Sequence, residues 1–254
     1  MRYHSKTLKS ESFNMKGRRI FLKKSALALP GLAFANSISA KSYRKIIGAN
    51  DRINIAFQGL GRRIPGLLSG SVSQNNIEVK YLCDVMDSQI LKASKRLFNL
   101  TGKSAKSEKN IHKIFDDNEV DAIIMATPDH WHAYGACKAM EHNKHVYLEK
   151  PCSHNMEESS LLIKYQKYFN KVVQMGNQQR SSPHTIEFID KLREGVLGET
   201  YRATAFYHSN RPRVPNQVLE PVPAGLDWDL FQGPAIRREY TSVSYTHLTL
   251  PTKA

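Results

Sequence analysis

Five short apolar runs, separated by helix-length stretches, constrain this sequence more than any other feature. They are INIAF from Ile53, IEVKYLCDV from Ile77 to Val85, VDAIIMAT from Val120 to Thr127, KHVYLEKP ending at Pro151, and KVVQMGNQQ from Lys171. Helical stretches such as SQILKASKRLFNL and WHAYGACKAMEHN lie between them. Strand, helix, strand at this spacing predicts an α/β fold, a parallel sheet wrapped by helices. Ligands of such sheets bind beyond the carboxyl ends of the strands, so the residues that end each run are the functional candidates.

The first run is followed by QGLGRRIPGLLSG. Gly59 and Gly61 would let a pyrophosphate approach the backbone near the start of a helix, and Pro65 is tolerated in that helix's first turn. A third glycine is missing; Ile64 stands in its place. Because Ile64 precedes Pro65, it is expected to avoid helical angles and to reshape the loop. A tight turn with no ligand is the plain alternative. Asp84 ends the second run, where a carboxylate accepts from a ribose hydroxyl and repels a 2′-phosphate, which favours NAD over NADP. Arg62 and Arg63 pull the other way, because guanidinium groups bind phosphate well.

Composition narrows the class. The chain has 254 residues and a formal net charge of +14. Half of that charge lies in residues 1–40, where eight basic residues face one acid, and no known basic and aromatic module is present, so nucleic-acid binding is not expected. Residues 1–40 instead read as an export leader: RRIFLKK carries the twin-arginine pattern at Arg18 and Arg19, with a short apolar run and small residues after it. The apolar run is too short for a comfortable membrane span. A periplasmic or otherwise exported location follows, with a linker over 41–52. Cys83, Cys137 and Cys152 have neither disulfide nor zinc spacing and read as small core or near-core residues.

ATPDHWH from Ala126 to His132, YLEKP from Tyr147 to Pro151, MGNQQRSSP and LDWDLFQGPA, taken with the glycine loop, resemble the Gfo/Idh/MocA oxidoreductases, in particular an exported bacterial branch. The resemblance runs from about Ile53 to Tyr240. It implies a Rossmann domain over 53–175, then a larger α+β substrate domain, and hydride transfer between NAD and a sugar or polyol. Lys150 is the matching catalytic residue, able to hydrogen-bond the reacting oxygen and assist proton transfer. Glu149 is implied at the nicotinamide side, and Pro151 is often cis in the family. Thr127 and Pro128 match the turn that passes the cofactor, and Asn177 and Gln178 sit where polar contacts to cofactor or substrate are made. His130 and His132 either line the nicotinamide cleft or cap the following helix. No carboxylate completes a metal triad near them, so no metal is expected.

The alternative within the same superfamily is an NAD-dependent glycoside hydrolase, in which the sugar is oxidised transiently, the glycosidic bond is eliminated, and the hydride returns. A third possibility is a non-catalytic sugar-binding relative whose altered loop has lost the cofactor. The order of any homo-oligomer is open.

Residues 176–242 are expected to begin the second domain, with an antiparallel strand in GETYRATAFYHSN after Gly198 and a proline-rich connection in which Trp228 and Phe231 pack. From about Pro212 the chain is expected to be loosely packed. VSYTHLTLPT back-translates to a sequencing-adapter end, so 243–254 is expected to be a non-native tail and the substrate domain incomplete.

Overall fold

The structure is a computed structural model that describes residues 52–206, 208 and 216–246. The leader, nearly all of the linker, and the tail beyond residue 246 lie outside the described residues.

Six strands form one parallel sheet: β1 (Ile53–Gln58), β2 (Ile77–Cys83), β3 (Lys106–Glu108), β4 (Ala122–Met125), β5 (His145–Glu149) and β6 (Val173–Gly176). Their order is β3-β2-β1-β4-β5-β6. The helices are α1 (Ile64–Val72), α2 (Asp87–Thr101), α3 (Ile111–Phe115), α4 (His132–Glu141), α5 (Met156–Phe169), α6 (Pro183–Arg193), α7 (Trp228–Gln232) and α8 (Ser242–Thr246).

Strand alternation divides the core in two. Ile55 and Phe57 of β1 point to one face and pack with Ile64 and Leu68 of α1 and Ile90, Ala93 and Leu97 of α2. Ala56 points to the other face and packs with Ile123, Met125, Val146 and Leu148 beneath Ala133, Ala136 and Met140 of α4 and Leu162 of α5. Successive side chains leave a strand on opposite sides, so a central strand with both faces covered must be apolar throughout. The runs that form β1 and β4 are of this kind, whereas the last run forms β6 at the sheet's edge, where Gln174 and Met175 are exposed. Cys83 and Cys137 sit in the same core, and burial pushes the Cys137 thiol up to about 11.

The chain builds outward from β1 in one direction through β2 and β3, and in the other through β4, β5 and β6. A crevice opens at the carboxyl ends where the order reverses, between β1 and β4. The fold therefore brings Gly59, Asp84, Thr127 and Glu149 to one edge of the sheet.

Four expectations need correction. Ile64 does not avoid helical angles: it is the first residue of α1, with 4% of its surface exposed. Burial among Leu60 and Leu68 outweighs the bias that Pro65 imposes on its predecessor. β3 is a strand the sequence did not announce, because its three residues KSE carry no apolar run. The strand expected after Gly198 is not formed; the described residues 199–206 are exposed and without a ladder. A strand needs a neighbour to accept its backbone bonds, and no partner for it occurs among the described residues.

The last correction concerns the segment after Pro212. Much of 226–232 and 240–244 is buried, not loose, while residues 236–239 between them are exposed. Leu226, Trp228, Phe231 and Tyr240 form a third buried cluster against Val85 and Met86, just beyond β2. Trp228 stacks on Phe231 with ring centroids 5.1 Å apart. Met86 and Leu226 form an antiparallel bridge, and Asp227 N donates to Val85 O at 2.9 Å. The aromatic residues of α7 and its flanks bury enough area to hold this stretch against the end of β2.

Candidate functional site

The two loop glycines have different reasons to be glycine. Gly59 has φ +83° and donates to Cys83 O at 2.9 Å. A Cβ on it would lie 2.7 Å from the backbone of Ala126 and Thr127, so the ends of β1 and β4 can meet only at a glycine. Gly61 has no heavy atom within 4 Å of a built Cβ, so its side faces open space. The backbone N–H groups of Gly61, Arg62 and Arg63 meet no backbone acceptor among the described residues. They lie at the start of α1, where the helix dipole favours negative charge.

Asp84 stands beside this loop. Its Oδ2 accepts from Leu60 N at 2.6 Å and its Oδ1 from Met86 N at 2.9 Å. Burial holds its carboxyl above the usual range, and the N–H donors of Leu60 and Met86 oppose that shift. Asp84 thus fixes the glycine loop to the end of β2, as well as standing where the sequence placed a ribose contact.

Across the crevice, Thr127 and Pro128 follow β4. Pro128 is extended, and its carbonyl accepts from Trp131 N at 3.0 Å. The Thr127 hydroxyl is buried and has no partner. His132 is 1% exposed. Its Nδ1 lies 2.5 Å from Pro151 O and its Nε2 2.9 Å from Thr127 O. It neither lines an open cleft nor caps α4 with its side chain; it ties the turn after β4 to the turn after β5. Both neighbours are acceptors, so a neutral ring donates to one at a time. His130 Nε2 lies 2.9 Å from Phe231 O, which also accepts from Trp131 Nε1 at 2.9 Å. Burial lowers the His130 pKa.

β5 delivers Glu149, Lys150 and Pro151, with the Lys150–Pro151 peptide cis. Glu149 is 5% exposed, and Lys150 beside it is exposed at the edge of the sheet. Arg63 Nε and Gln178 Nε2 both donate to Glu149 Oε1 at 2.6 Å, and Lys150 N donates to Oε2 at 3.2 Å. Arg62, Arg63, Asn177 and Gln178 are all exposed as whole residues, and Arg62 and Asn177 make no bond to Glu149. Their neighbours Arg63 and Gln178 make the contacts instead. A tandem arginine and a tandem polar pair announce the chemistry, but not which member reaches Glu149.

Open space over Gly61, unpaired N–H groups at the start of α1 and the orphaned Thr127 hydroxyl suit a phosphate-bearing dinucleotide laid across the crevice. Among the described residues no group of three or more His, Cys, Asp or Glu side chains is arranged to hold a metal. No described helix is long and apolar enough to cross a membrane.

Residues 53–177 match the Gfo/Idh/MocA oxidoreductase family, NAD-binding Rossmann fold. The chain is a Gfo/Idh/MocA-like Rossmann protein. A glycosyl hydrolase family 109 protein of Shewanella pealeana is 25% identical to this Gfo/Idh/MocA-like chain over 208 residues, 75% of the chain and 45% of the relative. A family 109 protein of Akkermansia muciniphila is 25% identical over 160 residues, 61% of the chain and 34% of the relative. The chain therefore spans about half the length, or less, of these curated relatives. Among solved structures, myo-inositol 2-dehydrogenase from Lactobacillus plantarum is similar with TM-score 0.52 and 21% identity, covering 58% of this chain and 43% of that one. A 3-ketoreductase from Actinomadura kijaniata, solved with NADP and TDP-benzene, has TM-score 0.52 and 20% identity, covering 58% and 44%. At such identities the structures speak for the fold.

Proposed function

We propose that this chain carries the dinucleotide-binding domain of an exported, NAD-dependent enzyme acting on a glycoside. The observation that supports it is the shared edge: Lys150 lies at the end of β5, exposed, across the crevice from the N–H groups of the glycine loop. NAD bound there supplies a hydride acceptor beside the sugar. Lys150 hydrogen-bonds the reacting oxygen and assists its proton transfer, while Glu149 holds the strand end that carries it. The family 109 relatives favour net glycoside cleavage over the simple dehydrogenase that the sequence motifs first suggest.

NAD is preferred to NADP because the Asp84 carboxylate stands beside the glycine loop and repels a 2′-phosphate. The NADP reading has one observation of its own, the groove between α1 and α2, which is lined by Lys92, Lys95 and Arg96 beside Gly61. Tighter binding of NADP than NAD would decide for the groove.

A titration of this chain with NADH, followed by fluorescence, tests the binding half. Gly61→Val should abolish binding while leaving the melting temperature unchanged, since its side chain meets only open space. Unchanged binding sinks the loop assignment. Turnover is tested in the full reading frame that contains these residues, with nitrophenyl glycosides. Cleavage without net NADH supports the hydrolase, and steady NADH formation on free sugar supports the dehydrogenase. Lys150→Ala should slow either by roughly two orders of magnitude or more with dinucleotide still bound. Export is tested by replacing Arg18 and Arg19 with lysines, which should leave the protein in the cytoplasm.

A further inference from the structure

The glycine loop and the end of β5 are not joined by any ladder, because β4 lies between β1 and β5. What joins them directly among the described residues is the Arg63 side chain, chiefly through its pair with Glu149. Arg63, the residue just before α1, places Nε 2.6 Å from Glu149 Oε1. The Glu149 side chain is 7% exposed and that of Arg63 43%. Glu149 raises the Arg63 pKa mainly through this bond, and Tyr147 adds to the effect. The second carboxylate oxygen takes the N–H of Lys150 at 3.2 Å.

We infer that Arg63 is a positioning residue of the dinucleotide crevice: it holds the Glu149 carboxylate, and through it the peptide of Lys150, at a set distance from the glycine loop. This rests on the dinucleotide reading given above. A carboxylate taken out of water needs strong donors or it turns back to solvent. Gln178 alone supplies a neutral donor to the oxygen that Arg63 serves. Without Arg63 the Glu149 side chain is released toward water, and the bond to Lys150 N goes with it.

The crevice geometry says which part of a ligand should feel this. A pyrophosphate at the start of α1 has Asp84 on its β2 side and Glu149 on its β5 side. One nucleoside of the dinucleotide then lies toward Asp84 and the other toward Glu149. The half near Asp84 is adenosine by the ribose assignment, so the nicotinamide half lies toward Arg63, Glu149 and Lys150. A residue acting through Glu149 alters recognition of that half and spares the other.

The test compares NADH with ADP-ribose, which lacks the nicotinamide, on the whole chain by calorimetry. Arg63→Ala should weaken NADH about tenfold and ADP-ribose less than about threefold. Glu149→Gln should show the same split. The double variant should lose little more than either single variant, because both act through one carboxylate. Equal losses for the two ligands, the pattern of a direct phosphate contact or of a damaged fold, overturn the inference. So do multiplying losses in the double variant, or unchanged NADH affinity. Should Arg63→Ala fail to fold, Arg63→Lys carries the test: the lysine lacks the Nε–H donor, and the same split at smaller size is expected. A wild-type chain that binds neither ligand removes the dinucleotide reading and this inference together, whereas binding without the split removes the inference alone.

Discussion

Two carboxylates end two strands on one edge of the sheet, and the chain supports them differently. Asp84 is held by the backbone, through Leu60 N and Met86 N. Glu149 is held chiefly by side chains that arrive from the start of α1 and from the turn after β6. The Asp84 side is a rigid joint of main chain, closed where Gly59 meets Ala126 and Thr127. The Glu149 side is a joint of Arg63, Gln178 and Tyr147, whose side chains have rotamers to change. A cofactor crevice with one wall of backbone and one of side chains has a fixed half and an adjustable half.

The sharpest way to break this comparison is through its glycines. Gly59→Ala places a Cβ 2.7 Å from backbone atoms at φ +83°. The positive φ and the clash together should cost roughly 3 kcal/mol or more in urea unfolding. Gly176→Ala would lie 2.5 Å from the Tyr147 hydroxyl, but that side chain can swing away. It should cost about 1 kcal/mol, within the cost of mild overpacking. Equal costs would remove the distinction between the two walls.

Next in size is Arg63→Ala, expected to lower stability by about 2 kcal/mol because it strands a buried carboxylate. Glu149→Gln should cost less, since the guanidinium left behind is 43% exposed and water can reach it. The reverse order in denaturation midpoints would mean that Arg63, not Glu149, is the group that burial threatens.

Smaller still, Asp84→Asn should cost about 1 kcal/mol, because the amide keeps one acceptor for two N–H donors. Its signature is pH dependence. Burial raises the Asp84 pKa in the folded chain, so the folded state keeps that proton to higher pH than the unfolded state does. Its contribution to stability therefore falls as pH rises from the ordinary carboxylate range through the raised value. The Asn variant should lack that decline in melting temperature as pH rises above the ordinary carboxylate range. An identical slope in the two proteins would show that Asp84 is better solvated than its position implies.

Much of the Asp84 side was legible in the sequence because its logic is local. INIAF, the two glycines and the acid that ends IEVKYLCD each state a backbone requirement at their own positions. The place of Lys150 just beyond the end of β5 was legible through YLEKP. The Glu149 side was not, because its partners are distant in the chain: Arg63 could not be told from Arg62, nor Gln178 from Asn177, until the helix and the turn fixed which side chain reached Glu149. His132 had the same ambiguity, and only the meeting of the turns after β4 and β5 made it a tie between carbonyls. Trp228 and Phe231 pack as their sequence suggested, but the extent of packing over 226–245 was underestimated. An incomplete second domain suggested looseness, while Trp228, Phe231 and Tyr240 had a surface of the first domain to bury against beyond β2.

The sequence by itself determined the parallel sheet, its central apolar strands, the glycine loop and the strand-end residues, because alternation and backbone stereochemistry act within a few residues of each other. Only the tertiary structure decided which of two adjacent arginines holds Glu149, that β1 and β4 touch at Gly59, and that the proline-rich segment returns to cover the end of β2. Those outcomes depend on which surfaces meet once the strands are ordered β3-β2-β1-β4-β5-β6. Burial and hydrogen-bond satisfaction are settled between segments far apart in the chain, where no local pattern reaches.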